Sequence, residues 1–288
     1  MRYMEYSFTQ YLSSLPRTPV VEAVQSLYES VDLDDNLAAK FAQTSQDIYK
    51  ATVWVANKIK EFGEDFITYM KQHLDSEKDR YNATIQFDFA EMGLSEDFVK
   101  LLPPKLYIRF VRPEHSMMYP KSEGVTGLAY ADTAGLMADL DDGCAEYALI
   151  GIFIHPGMDT TDSIVRIIRW KLPHELRHIV DTCDSATLKM MEDNLNHNTM
   201  ATLTNKFTTY WDDPGEYYAR MSEVVALAIN GLSKPEMRQK FHSAKEAVDS
   251  LSSTRIYQDA VGDVDDTAKA AFKKNLELIL AKIMDKLV

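Results

Sequence analysis

His174-Glu175-Leu176-Arg177-His178 is the stretch of this chain whose residue types and spacing most directly imply chemistry. Two histidines four apart on a helix lie one above the other on the same face. At that spacing both imidazoles reach one Zn²⁺ at about 2.0–2.1 Å. The glutamate beside the first histidine is placed to take a proton from an activated water. The chemistry implied is metal-assisted hydrolysis, and the segment needs a helix to present it.

A helix is what the preceding residues predict. Ile164, Ile167, Ile168 and Leu172 form an apolar stripe, and Asp159, Thr160, Thr161 or Asp162 can cap its start. Pro173 stands directly before His174. A proline inside a helix removes one backbone bond and crowds the carbonyl four residues back, so a kink or break is expected near Trp170. His174 would then lie in the first turn of a renewed helix.

Upstream, the hydrophobic period alternates in two. Thr84–Phe89, Leu106–Val111, Val125–Ala131 and Glu146–Ile154 read as strands, and Ser95 starts a short helix that Pro103 and Pro104 end. Further upstream the pattern is helical. Val20, Val24, Leu27, Tyr28 and Val31 share one face. A longer stripe of Ile48, Val55, Ile59, Phe62, Phe66 and Tyr69 predicts a helix from about Ser45 to His73, capped by Thr44 or Ser45. Downstream, Asp213-Pro214 opens a helix, Lys234–Leu251 reads as another, and a last one starts near Asp265-Asp266. Its face carries Phe272, Leu276, Ile279, Leu280, Ile283 and Leu287.

The motif and this order of elements resemble the zincin metallopeptidases over roughly residues 80–225. The resemblance implies an α+β fold with an N-terminal helical region at 1–80 and a zincin-like domain at 81–288. Within that domain it implies a small mixed sheet at 84–154, an active-site helix at 162–182 and a helical lower part at 205–288. It also implies that a strand bordering the cleft, within 125–131 or 146–154, binds extended substrate by strand addition.

Zincins differ in their third ligand. One branch has a histidine or aspartate six residues after the second histidine, with a glycine between. Asp184 stands at that position here, and Asp181 stands in place of the glycine. The gluzincin branch takes a glutamate from a second helix. Glu216 and Ala219 make its ExxA pattern, with Ala219 allowing close helix approach, and this sequence favours Glu216. Glu223, nearly on the same face, is a weaker candidate. The metal set implied is His174, His178 and Glu216 around Zn²⁺, with Glu175 as catalytic general base.

Other polar residues admit both a site role and an ordinary one. Asp181 can accept a hydrogen bond from a ligand histidine or simply face water. His197, Tyr210, Tyr217 and Tyr218 are candidate oxyanion donors or plain surface and packing residues. Arg177 faces away from the histidine ridge. His73, His115, His155 and His242 have no ligand partner at short spacing. Cys183 follows the motif closely, but a small, partly buried apolar role suits it better.

Composition narrows the function classes. The 288 residues carry a net charge of −13, which disfavours nucleic-acid binding. With 45% apolar residues a sizeable core is available, and no apolar run is long enough for a membrane span. The N-terminus lacks the apolar run of a signal peptide, and two cysteines do not make a disulfide scaffold. A cytoplasmic or virion-associated zinc peptidase acting on a protein or peptide substrate is the expectation. The alternatives are an assembly protein, such as a phage particle component, that retains the fold and docks through the 45–73 or 265–287 helix, and a narrow-target effector protease.

Overall fold

The computed structural model describes residues 33–79, 81–115, 129–141, 143, 145–155, 157–158, 160–184, 189, 214–261 and 266–286. The predicted helix at 20–31, His197, Tyr210, Cys144 and Leu287 lie outside them.

Helix α1 spans Asp35–Leu74. It starts earlier than the 45–73 stripe predicts, because Asp34 caps it by accepting from the amides of Asn36 and Leu37, both at 2.8 Å. Thr44 and Ser45 therefore do not cap. The Thr44 hydroxyl donates to the Lys40 carbonyl at 2.9 Å, and Ser45 is buried mid-helix. The helix is broken once, at Gly63, whose φ of 54° and ψ of −129° suit glycine alone. Phe62 consequently leaves the predicted stripe and is 46% exposed.

Among the described residues, four strands form one sheet in the order β1-β2-β4-β3. They are β1 (Asn82–Asp88), β2 (Lys105–Val111), β3 (Ala129–Ala131) and β4 (Tyr147–Phe153). β1 pairs antiparallel with β2, β2 runs parallel to β4, and β3 pairs antiparallel with β4. β4 is interior and buried from Ala148 to Phe153, which explains its continuous apolar run. The strand bordering a cleft is expected in 125–131 or 146–154; among the described residues β3, from the first, stands at the sheet edge and β4, from the second, is interior. Tyr130 of β3 is paired with Gly151 of β4.

Helix α2 (Glu96–Leu101) follows the Ser95 cap, as its sequence predicts. Helix α3 (Thr133–Asp141) is not foreshadowed in the sequence, for its apolar residues are spread around it and Leu136 alone is fully buried. Helix α4 (Thr161–Cys183) carries the histidine motif, with the Thr160 hydroxyl accepting from the Ser163 amide at 3.2 Å. It runs unbroken through Pro173, contrary to the expected break near Trp170. Ile167, Ile168, Leu172 and Leu176 bury the flanking turns on both sides of the proline, and that packing offsets the one lost backbone bond.

Helix α5 (Pro214–Leu232) starts at the predicted proline. The predicted 234–251 helix is two: α6 (Pro235–Lys240) and α7 (Ala244–Ser252), the latter capped by Ser243. Helix α8 (Arg255–Val261) and the predicted last helix α9 (Asp266–Asp285) complete the described chain.

Two apolar cores result, so the fold is mixed α+β, mostly helical with a small sheet. The first lies between the sheet, α4 and the part of α1 from Ile48 onward. The second joins α5, α7, α8 and α9 to the start of α1, through Leu37 and Phe41. The α9 stripe, Phe272, Leu276, Ile279, Leu280 and Ile283, is covered within the chain. Helix α4 belongs to the first core and α5 to the second, and they pack against each other. Among the described residues no helix is long and apolar enough to cross a membrane.

Candidate metal centre

The α4–α5 contact places the polar residues of the motif. Leu172, Leu176 and Ile179 of α4 turn into the first core, which commits the helix rotation. His174 and His178, one turn apart, are thereby presented to α5. Their Nε2 atoms lie 3.2 Å from each other. Glu216, in the first turn of α5, meets both: Oε2 is 3.3 Å from His174 Nε2 and Oε1 is 3.3 Å from His178 Nε2. Ala219, one turn on, is fully buried, as expected of a residue that lets two helices approach closely.

These distances can be tested against a metal. Four ligand atoms at about 2.0–2.1 Å in a tetrahedron stand about 3.3–3.4 Å from one another. The two Nε2 atoms, 3.2 Å apart, have that spacing, and Glu216 presents one carboxylate oxygen to each of them at 3.3 Å. Glu216 Oε2 is buried without a hydrogen-bond donor. Unprotonated imidazole nitrogens and a carboxylate are all acceptors, so a cation can take the place of a histidine proton among them. His174, His178 and Glu216 thus form a group close enough to hold a metal ion, and among the described residues no other such group is present.

The local field has the sign a cation needs. Burial alone would lower the His174 pKa, but the carboxylates of Glu216 and Glu223 outweigh it and raise the pKa to about 9. Burial likewise opposes ionisation of Glu216, yet the two histidines hold its carboxyl far below the usual range. Glu175, buried beside them, is shifted the other way. Loss of water raises its pKa, and Glu216 adds to this against the opposing pull of His174, His178 and Lys171.

Glu223 sits on the far side of the same imidazole. Its Oε1 lies 3.1 Å from His174 Nδ1, an ion-pair distance though off the ring N–H axis, and 3.5 Å from Lys171 Nζ. Lys171 in turn lies over the Trp170 ring, 4.2 Å from its centroid. Burial would raise the Glu223 pKa, but His174 and Lys171 together hold it below the ordinary range. The weaker third-ligand candidate therefore approaches the ring nitrogen that does not face Glu216. Lys171 was not foreseen at all, although its place three residues before His174 puts it on the same helix face.

The remaining candidates are engaged elsewhere. Asp184 accepts an ion pair from Lys40 of α1 at 2.7 Å. Asp181 pairs with Arg177 one turn earlier, and the Arg177 guanidinium stacks on Phe41 of α1 at 4.4 Å. Arg177 is thus structural, as expected, and Asp181 serves it rather than a histidine ring. The Tyr217 hydroxyl accepts from the Asn275 amide at 3.2 Å, and Tyr218 is fully buried against Phe41. Both tyrosines belong to the second core. Cys183 packs against the first core. His73 pairs with Asp79 at 3.0 Å, away from the centre.

Comparison with models of known protein families, with curated protein sequences and with solved structures found no match to this chain.

Proposed function

We propose that this chain is a zinc-dependent peptidase of the zincin type, in which His174, His178 and Glu216 hold the metal and Glu175 is the general base. One observation carries the reading: two imidazole nitrogens and a carboxylate, one ligand atom from each within 4.8 Å of the others, with the buried Glu175 carboxyl beside them. Two imidazoles and a carboxylate are a donor set suited to Zn²⁺ that leaves a fourth position open. When bound there, zinc lowers the pKa of a coordinated water toward about 7 and polarises the scissile carbonyl.

The remaining work falls to the protein. Glu175 accepts the proton of the attacking water and returns it to the leaving amine. Its place next to His174 in the sequence, buried beside the two histidines, is what puts the carboxyl within reach of both tasks. The walls around His174 and Glu216 exclude most water, while His178, with its side chain 19% exposed, marks the open side. Among the described residues β3 stands at the sheet edge, and its outer backbone groups are those to which an extended peptide can add as a strand. A small sheet with an antiparallel edge strand, followed by the motif helix and then a glutamate-bearing helix, is the order a gluzincin requires.

The test is hydrolysis of a quenched-fluorescent peptide library by the zinc-loaded protein beside Glu175→Gln. The variant is expected to keep its zinc and lose activity by about 10²–10⁴-fold, the usual worth of a positioned general base. Zinc-loaded wild type that cleaves no peptide or protein substrate, or equal activity in both proteins, overturns the reading.

A further inference from the structure

Helix α5 offers a carboxylate to each nitrogen of one imidazole. Glu216 meets His174 at Nε2, 3.3 Å away, and Glu223 meets it at Nδ1, 3.1 Å away. The two glutamates are seven residues apart, so two helical turns separate them on nearly one face. The His174 and Glu223 side chains are only 8% and 6% exposed, which leaves water little access to Nδ1.

We propose that Glu223 is a positioning residue of the metal centre: a small turn of its carboxylate, which stands 3.1 Å from Nδ1 but off the N–H axis, lets it accept the Nδ1 proton of His174 so that the Nε2 lone pair faces the metal. A neutral imidazole carries one proton. Placing it on Nδ1 obliges Nε2 to be the ligand atom, and it fixes the plane of the ring. Lys171 has its place in the same device. Its ammonium, braced over Trp170 and 3.5 Å from the same Oε1 that meets Nδ1, balances the charge of the buried carboxylate. Glu223 is itself no ligand, because it meets the nitrogen that points away from Glu216 and His178. The inference rests on the metal-binding part of the proposed function and not on peptide hydrolysis.

Zinc affinity, measured by competition with a chromophoric chelator, separates the possibilities for wild type, Glu223→Ala, Glu223→Gln and Glu216→Ala. Metal-free samples are compared by circular dichroism to establish equal folding. Glu223→Ala is expected to bind zinc about 10–100-fold more weakly. That corresponds to about 1.4–2.8 kcal/mol. Glu223→Gln recovers part of the loss, since its amide oxygen still accepts from Nδ1. Glu216→Ala loses more than either. Wild-type affinity in Glu223→Ala overturns the inference, and so does a loss in Glu223→Gln as deep as that of Glu216→Ala, which would make Glu223 a ligand. Nitrogen-15 spectra of zinc-loaded wild type give a readout that no variant's folding affects. His174 protonated at Nδ1 supports the assignment, and His174 protonated at Nε2 overturns it. A wild-type chain that takes up no zinc removes the metal centre and this inference together. Zinc uptake without peptide cleavage removes only the peptidase reading.

Discussion

Glu216 Oε1 lies 3.3 Å from His178 Nε2, whereas the Asp184 carboxylate lies 2.7 Å from Lys40 Nζ. The two candidate third ligands are thus committed to different partners. Glu216→Ala is expected to lose bound zinc, while Asp184→Ala keeps about one zinc per chain. Metal analysis of the purified variants reads this directly. Retention of zinc by Glu216→Ala, with loss in Asp184→Ala, would assign the third ligand to Asp184 at the end of α4 and not to α5.

The Arg177–Asp181 pair should matter for stability rather than chemistry. Arg177 is 2% exposed and Asp181 is 4% exposed, at the seam where Phe41 of α1 meets α4. Arg177→Met leaves the Asp181 carboxylate buried without its cation, which costs about 3–5 kcal/mol. Replacing both, as Arg177→Met with Asp181→Leu, removes the stranded charge and should restore much of the loss. Urea unfolding curves of the single and double variants decide this. A double variant no more stable than the single one would show that the pair contributes more than mutual neutralisation.

Cys183 should be a slow thiol. Burial and then the nearby Asp184 push its pKa up to about 11. The thiolate reacts, not the thiol, so at pH 8 the reactive fraction is about 0.1%, against roughly a quarter for a free cysteine. In a Cys144→Ser background, alkylation by iodoacetamide should run about two orders of magnitude below the free-thiol rate. The rate should climb about tenfold per pH unit until near pH 11. A rate that levels off near pH 8.5 would contradict the burial argument.

Much of the site could be read from spacing because helical geometry is local. His174 and His178 need only one turn of helix to converge, and Pro214 marks the start of the helix that brings Glu216. The strands were legible where one face is buried or the run is continuously apolar. What escaped depends on contacts between elements. The unbroken course of α4 through Pro173 comes from packing on both sides of the proline. The break at Gly63 moves Phe62 off a stripe that is regular on paper. Helices α3 and α8 are short, and few of their residues are fully buried, so periodicity says little about them. The position of Glu223 was apparent, but which imidazole nitrogen it meets is set by ring orientation, which no spacing encodes.

The edge strand depends on a glycine whose role is steric. Tyr130 of β3 lies across Gly151 of β4, and a Cβ built at Gly151 would come within 2.0 Å of the Tyr130 ring. The ring also packs beside Phe153, with centroids 5.7 Å apart. Gly151→Ala must therefore displace Tyr130 or spread β3 from β4, and overpacking of this kind costs about 1–3 kcal/mol. Because β3 has three described residues and stands at the edge of the described sheet, much of that strain should appear as local opening. Amide exchange at Ala129–Ala131 is expected to quicken in Gly151→Ala while exchange in β2 stays slow. The double variant Gly151→Ala with Tyr130→Ala relieves the clash and should recover part of the lost melting temperature. If Gly151→Ala melts at the wild-type temperature with β3 still protected, the ring does not lie against this glycine in solution.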